Sequence, residues 1–223
     1  MALAEELEED RYRLPRGAAP VRYDLELEPD LETARFSGSE TIELRIERPL
    51  PELVLNAADL EIEAAELLGP HGAGLAVAEV RLDAETERLH LVPARELEPG
   101  TWRLRLSFRG TLNDRMRGFY RSTYRDGAGV ERVIATTQFE ATDARRAFPC
   151  WDEPAFKAVF STTLVIDPAL TAISNTRIVA EHREGDRKVV RFADTIPMST
   201  YLVAFVVGEL EATEPVWVGR TPV

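Results

Sequence analysis

The densest chemistry in this chain lies between Thr136 and Pro154. An amide (Gln138), four carboxylates (Glu140, Asp143, Asp152, Glu153), paired guanidiniums (Arg145, Arg146), prolines and a tryptophan crowd together there. Such groups bind charged or polar partners through charge-assisted hydrogen bonds, or they bind one another. Gln138 and Glu140 stand two apart, which in an extended segment puts both side chains on one face and turns Phe139 the other way, into a core. Two readings are open at this point. The stretch is a functional loop, or it is a corner in which Arg145 or Arg146 pairs with Asp143, Asp152 or Glu153 while Trp151 fills a core edge. Exposed pairs of the second kind contribute only about 0–1 kcal/mol.

Elsewhere the chemical signals are sparse. The three histidines are His71 in a Gly-Pro turn, His90 in an alternating stretch and His182 in a charged one. None stands four residues from another with a glutamate between, the spacing that puts two zinc-binding imidazoles on one helix face. Cys150 is the only cysteine, which excludes an intrachain disulfide and a multi-thiolate zinc site. Flanked by Pro149 and Trp151 with no histidine nearby, it reads as a small buried apolar group. No Gly-rich phosphate loop and no nucleophile-elbow pentapeptide occur. No complete catalytic constellation is present.

The elements that must position the Thr136–Pro154 stretch alternate with a period of two. Val21, Tyr23, Leu25 and Leu27 alternate with polar neighbours, as do Ile42, Leu44 and Ile46, and Trp102, Leu104, Leu106 and Phe108. Each pattern predicts a strand with one face in a core and the other in water. Further strands are expected over residues 53–55, 60–66, 75–82, 88–92, 132–137, 159–166, 188–193 and 200–209. The alternation of Leu60 and Ile62 argues against a helix over 53–67. Turn signals such as Gly69-Pro70-His71-Gly72, Glu98-Pro99-Gly100 and Glu184-Gly185-Asp186 separate them. Many short strands with Pro and Gly turns predict an all-β, antiparallel sandwich or barrel built as a single domain.

A formal charge of -12 makes nucleic acid an unexpected partner, since an anionic surface repels a phosphate backbone. The longest apolar run, Tyr201 to Val207, is strand length and far short of the ~20 residues of a membrane span, so no membrane partner is expected. Residues 1–10 form an acidic tail with neither the positive start nor the apolar run of a signal peptide. These features predict a protein of a reducing compartment, the cytoplasm. The last residues, running from a strand-like 215–218 to Val223, look like a cut through a longer polypeptide.

The run "TTQFEATDARRAFPCWDEPAFKAVF" resembles the N-terminal domain of the M1 family of zinc aminopeptidases, of the aminopeptidase N and tricorn-interacting-factor type. "GFYRSTY" (Gly118 to Tyr124) before it, and "SNTRI" (Ser174 to Ile178) and "TIPMSTYLVAFVVGE" (Thr195 to Glu209) after it, keep the same order. "RYRLPRGAAPVRYDLELEPDLETARFSGSETIEL" is similar to that domain's opening strands, so the resemblance covers residues 11–223.

The resemblance implies a large, saddle-shaped antiparallel β-sandwich. It also implies that zinc belongs to the complete enzyme, bound by a His-Glu-x-x-His motif in a following catalytic domain. That motif and the family's Gly-x-Met-Glu-Asn motif are absent from these residues, so this chain is expected to bind no zinc and to have no peptidase activity alone. By the same resemblance Glu140 corresponds to the glutamate that grips the free α-amine of a peptide substrate. Gln138 corresponds to the glutamine lining the first side-chain pocket. A carboxylate at the closed end of a cleft pairs with the ammonium and sets the register by one residue. Glu140 can do so only where Arg145 and Arg146 do not neutralise it. The implied partners are the N-terminus of a peptide and the chain's own catalytic domain, docked on an apolar face. The alternatives are a non-catalytic M1-like scaffold or interaction module, and an unrelated binding sandwich.

Overall fold

The computed structural model describes residues 13–211, 213, 214 and 216–222. The acidic tail expected over residues 1–10 lies outside them, as does the His71 side chain. The first half forms strands β1 (Ala18–Asp30), β2 (Arg35–Ile46), β3 (Leu53–Asn56), β4 (Leu60–Leu68), β5 (Gly74–Leu75), β6 (Val77–Asp83), β7 (Arg88–Pro93) and β8 (Gly100–Thr111). The second half adds β9 (Gly118–Arg125), β10 (Glu131–Gln138), β11 (Val159–Ile166), β12 (Thr171–Ser174), β13 (Ile178–Glu184), β14 (Arg187–Phe192), β15 (Phe205–Gly208), β16 (Trp217–Val218) and β17 (Thr221–Pro222). The expected all-β class holds, and among the described residues three single 3-10 turns interrupt the strands.

The largest sheet has eight strands in the order β13-β14-β11-β1-β2-β8-β4-β5. A four-stranded sheet, β12-β15-β10-β9, and a three-stranded sheet, β3-β7-β6, pack with it around one cluster of buried side chains. Neighbours run antiparallel throughout except at one seam, where β1 and β11 lie parallel with Tyr23 opposite Phe160. The alternation places Tyr23, Leu25 and Leu27 in the core. Val21 departs from that row: the β1–β2 ladder slips between Pro20 and Arg22, and Val21 is left 41% exposed.

A run of aromatic contacts joins the layers and seats the central loop. Phe36 on β2 meets Phe119 on β9 with ring centroids 5.2 Å apart, and Phe119 meets Phe205 on β15 at 4.9 Å. Phe205 meets Phe139 at 5.9 Å, Phe139 meets Phe148 at 6.0 Å, and Phe148 reaches Tyr23 at 6.1 Å. Tyr23 stacks on Phe160 at 4.8 Å. Pairs of this kind add about 0.5–1.5 kcal/mol each beyond their buried area.

Two expected strands are corrected. Residues 75–82 divide at Ala76, so that β5 joins the eight-stranded sheet and β6 the three-stranded one. Residues 200–209 begin as a 3-10 turn at Thr200–Leu202, and only Phe205–Gly208 pair as a strand. Side-chain bonds explain the second case. Thr200 Oγ1 donates to Asp152 Oδ1 at 2.6 Å, and Ser199 Oγ donates to the Pro154 carbonyl at 2.9 Å. Both bonds hold this segment against the loop rather than in a ladder.

Candidate functional site

Strand β10 delivers the candidate residues. It ends at Gln138, and Phe139 turns inward between Phe148 and Phe205 with 2% of its surface exposed. Gln138 and Glu140 on either side of it are exposed, as the two-residue spacing requires. The Gln138 amide donates from Nε2 to the Glu140 carbonyl at 3.4 Å, and the Glu140–Ala141 peptide bond is cis. Asp143 N–H then bonds the Phe139 carbonyl at 2.9 Å, closing a turn that leads into the 3-10 turn Ala144–Arg146.

The condition on Glu140 is met by the arrangement of its neighbours. Arg145 donates from Nε to Asp152 Oδ2 at 3.0 Å and from Nη1 to Glu87 Oε2 at 3.1 Å. Arg146 donates from Nε to Asp143 Oδ1 at 2.8 Å, and its two Nη groups reach Asp59 and Glu87. Burial works against the Arg146 charge, but Asp143, Glu87 and Asp59 outweigh it and hold its pKa above that of a free guanidinium. Among the described residues the Glu140 carboxylate has no hydrogen-bond or ion-pair partner. Both guanidiniums that could neutralise it are engaged elsewhere.

Of the partners expected for these arginines, Asp143 and Asp152 take that role. Glu153 instead accepts the Leu14 N–H and pairs with Arg13 at 3.6 Å. Asp59 and Glu87 complete the arginine shell without any signal in the sequence. Both adopt left-handed backbone, with φ of 56° and 53°, in turns far from the loop in sequence. No local pattern marks them; only the fold brings them under the arginines.

The loop is clamped from below. Asn56 at the end of β3 exchanges backbone hydrogen bonds with Cys150 at 2.7 and 2.9 Å, and Asn56 Oδ1 accepts the Asp152 N–H at 3.2 Å. Trp151 is fully buried, and its backbone N–H donates to the Tyr23 hydroxyl at 3.1 Å. From the other side Gly118 pairs with Gln138 across β9 and β10. A Cβ on Gly118 would sit 2.8 Å from the Arg146 Cβ, and its φ of 67° already favours glycine. The backbone here must approach the arginine turn closely, which no larger residue allows.

Cys150 is buried. Burial first, then the nearby Asp152 carboxylate, push its thiol well above the ordinary range. N-ethylmaleimide is therefore expected to leave the folded chain unlabelled and to modify one thiol once guanidinium unfolds it. Labelling of the native chain at the rate of a free thiol would contradict this environment. Among the described residues no group of three or more His, Cys, Asp or Glu side chains could hold a metal ion. His90 bonds Glu52 through Nδ1 at 2.9 Å, and His182 lies exposed on β13. No helix among the described residues is long and apolar enough to cross a membrane.

The two faces of the four-stranded sheet differ. Ala135, Val207 and Ala172 pair across β10, β15 and β12 on the buried face. The opposite face carries Ile134, Thr136 and Gln138 of β10, with Tyr120 and Val206 beside Thr136 and Ile173 beside Val206. Ile173 is 50% exposed and the others in this apolar row are half-buried. Gln138 thus stands at the end of an apolar sheet face open to solvent.

Comparison with known proteins places these features in context. The family described as the peptidase M1 N-terminal domain matches residues 19–202. Aminopeptidase M1-D of Oryza sativa subsp. japonica is 50% identical over 204 residues, which cover 92% of this chain and 23% of that protein. Aminopeptidase M1 of Arabidopsis thaliana is 46% identical over 205 residues, covering 91% and 23%. The puromycin-sensitive aminopeptidase of Caenorhabditis elegans is 42% identical over 201 residues, covering 89% and 21%. The chain spans about a quarter of the length of the curated relatives it matches.

Proposed function

The chain belongs to the family of peptidase M1 N-terminal domains, and from that premise we propose that it is the substrate-anchoring part of a zinc aminopeptidase. Glu140 binds the free α-amine of the peptide, and Gln138 lines the pocket for the first side chain. One observation carries this reading. Glu140 is exposed and unpartnered in a loop where Arg145 and Arg146 are both held by other carboxylates. A loop that served only as an ion-paired corner would have no reason to leave this acid out.

The chemistry suits the task. An ammonium at the peptide's end donates to the carboxylate, and an internal peptide bond offers no such charge. The Glu140 contact therefore selects chain ends and fixes which bond lies one residue further on. Gln138 offers a donor and an acceptor together and tolerates varied side chains at the pocket mouth. In the complete enzyme a bound zinc would supply activated water as the nucleophile. The part of this chain is to bind and orient.

The apolar face bearing Tyr120, Ile134, Val206 and Ile173 is where the catalytic domain docks, which covers these side chains and encloses Gln138 and Glu140. The cytoplasm suits a chain whose one cysteine is buried and reduced.

Glu140→Ala in the complete aminopeptidase tests the anchor. A charge-assisted hydrogen bond of about 1.5–3 kcal/mol corresponds to a loss of roughly 10- to 150-fold in kcat/KM for an aminoacyl anilide. Melting should stay unchanged, because an exposed, unpaired side chain contributes little to stability. Unaltered turnover would remove Glu140 from the site.

A further inference from the structure

A cavity of about 420 Å3 opens at the edge of the sandwich, lined by Arg115, Arg117, Arg121 and Arg146 together with Asp59 and Asp114. Arg146, from the same loop as Glu140, forms part of the cavity wall, but neither Gln138 nor Glu140 lines it. The candidate anchor and this cavity thus share the loop but no lining residue.

The charges in the cavity do not cancel. Arg146 and Asp59 neutralise each other, with Asp143 and Glu87 completing the Arg146 shell. Arg117 reaches Asp143 only at 3.6 Å. Arg115 and Arg121 are exposed and have no carboxylate partner among the described residues. Asp114 remains as the only other acid lining the cavity. An excess of positive charge thus gathers in one concavity of a chain whose net charge is -12.

One residue, Asn113, fixes the backbone of Arg115 and Arg117 through its side chain and that of Arg121 through its main-chain carbonyl. Asn113 Oδ1 accepts the Arg115 N–H at 2.8 Å, and Asn113 Nδ2 donates to the Arg117 carbonyl at 2.9 Å. The Asn113 carbonyl accepts the Arg121 N–H at 2.8 Å. The arginines are thereby held near one another before any ligand arrives, which lowers the ordering cost of binding. Like charges held this way repel, and an anion among them relieves the repulsion.

We propose that this cavity binds a phosphate group, free or carried as a monoester by a small molecule, between the Arg115 and Arg121 guanidiniums. A phosphate dianion offers three oxygens in different directions and can take two planar guanidinium forks at once. A lone carboxylate presents two oxygens in one plane and satisfies a single fork. The volume lies at the small end of the range for small-molecule sites. The anionic remainder of the chain repels a nucleic-acid strand.

Titration of the 223-residue chain with inorganic phosphate and with glycerol phosphate, at low and constant ionic strength, tests the site. Binding is read by calorimetry and by the arginine Nε–H resonances. Saturable binding is expected, with shifts at Arg115 and Arg121. The affinity should fall at least about ten-fold in the double variant Arg115→Ala/Arg121→Ala and be unchanged in Arg103→Ala, an exposed arginine of β8. Tighter binding of glycerol phosphate assigns a monoester, and equal binding assigns free phosphate. Unsaturated titration, an equal loss in Arg103→Ala, or acetate binding as tightly as phosphate would each overturn the proposal. All three substituted arginines are exposed, and an unchanged melting transition confirms that the variants fold.

Discussion

Replacing Asp152 with alanine is expected to lower stability by about 3–5 kcal/mol, the cost of breaking a buried ion pair from one side. The Asp152 carboxylate is 1% exposed, and each oxygen is used. Oδ2 accepts from Arg145 Nε at 3.0 Å, and Oδ1 accepts from Thr200 Oγ1 at 2.6 Å. Removal leaves the Arg145 guanidinium, itself 12% exposed, with Glu87 as its remaining carboxylate. It also frees Thr200, and with it the turn that leads into β15. At roughly 2–4 °C per kcal/mol for a chain of this size, the melting temperature should fall by about 6–20 °C. Denaturant unfolding measures the loss directly. A change below about 1 kcal/mol would mean that the charges were never effectively out of water.

Glu40 produces an effect of the opposite sign. It sits in β2 between Leu25 and Leu106, 3% exposed, and neither carboxylate oxygen has a partner among the described residues. The indole N–H of Trp151 is likewise buried and unpaired. Burial pushes the Glu40 carboxyl well above its ordinary value of 4.5, so it is held neutral. The Tyr23 phenol and Cys150 thiol nearby are also raised, by burial first. The pH dependence has a definite sign. Below the unfolded pKa the group is protonated in both states, and its contribution to stability is greatest. As pH rises the unfolded chain ionises while the core does not, and stability falls by up to about 1.4 kcal/mol per pH unit until the folded pKa is reached. Glu40→Leu removes both the ionisation and the unsatisfied oxygens. It should stabilise the chain by about 2–3 kcal/mol at pH 8 and by less at pH 5. Unfolding midpoints of both chains at the two pH values settle the matter, and a gain independent of pH would sink the explanation.

The all-β class was legible because β1, β2 and β8 each bury one face and alternate over most of their length, Val21 and Glu40 being the exceptions. Strand β13 was not, since every residue from Ile178 to Glu184 is exposed at the sheet's edge and no alternation is imposed on it. Strand β9 hid for a related reason, with mostly polar residues on both faces after Phe119. In the loop, spacing alone placed Gln138 and Glu140 opposite Phe139. The fate of the two arginines depended on Asp59 and Glu87, which lie 87 and 59 residues from Arg146. Contacts at that range leave no periodic trace in a single sequence.

The parallel seam between β1 and β11 bears on how the protein is made. Residues 22–27 pair on one side with β2 but find their partners on the other side only at 159–164. On the ribosome the N-terminal half can assemble β1, β2, β8 and β4, but β1 then presents an open edge of unpaired backbone until β11 emerges. Such an edge invites pairing with other nascent chains. At roughly 5–20 residues per second the exposure lasts several seconds or more. That interval, rather than the finished fold, is when pairing at the β1 edge competes with folding.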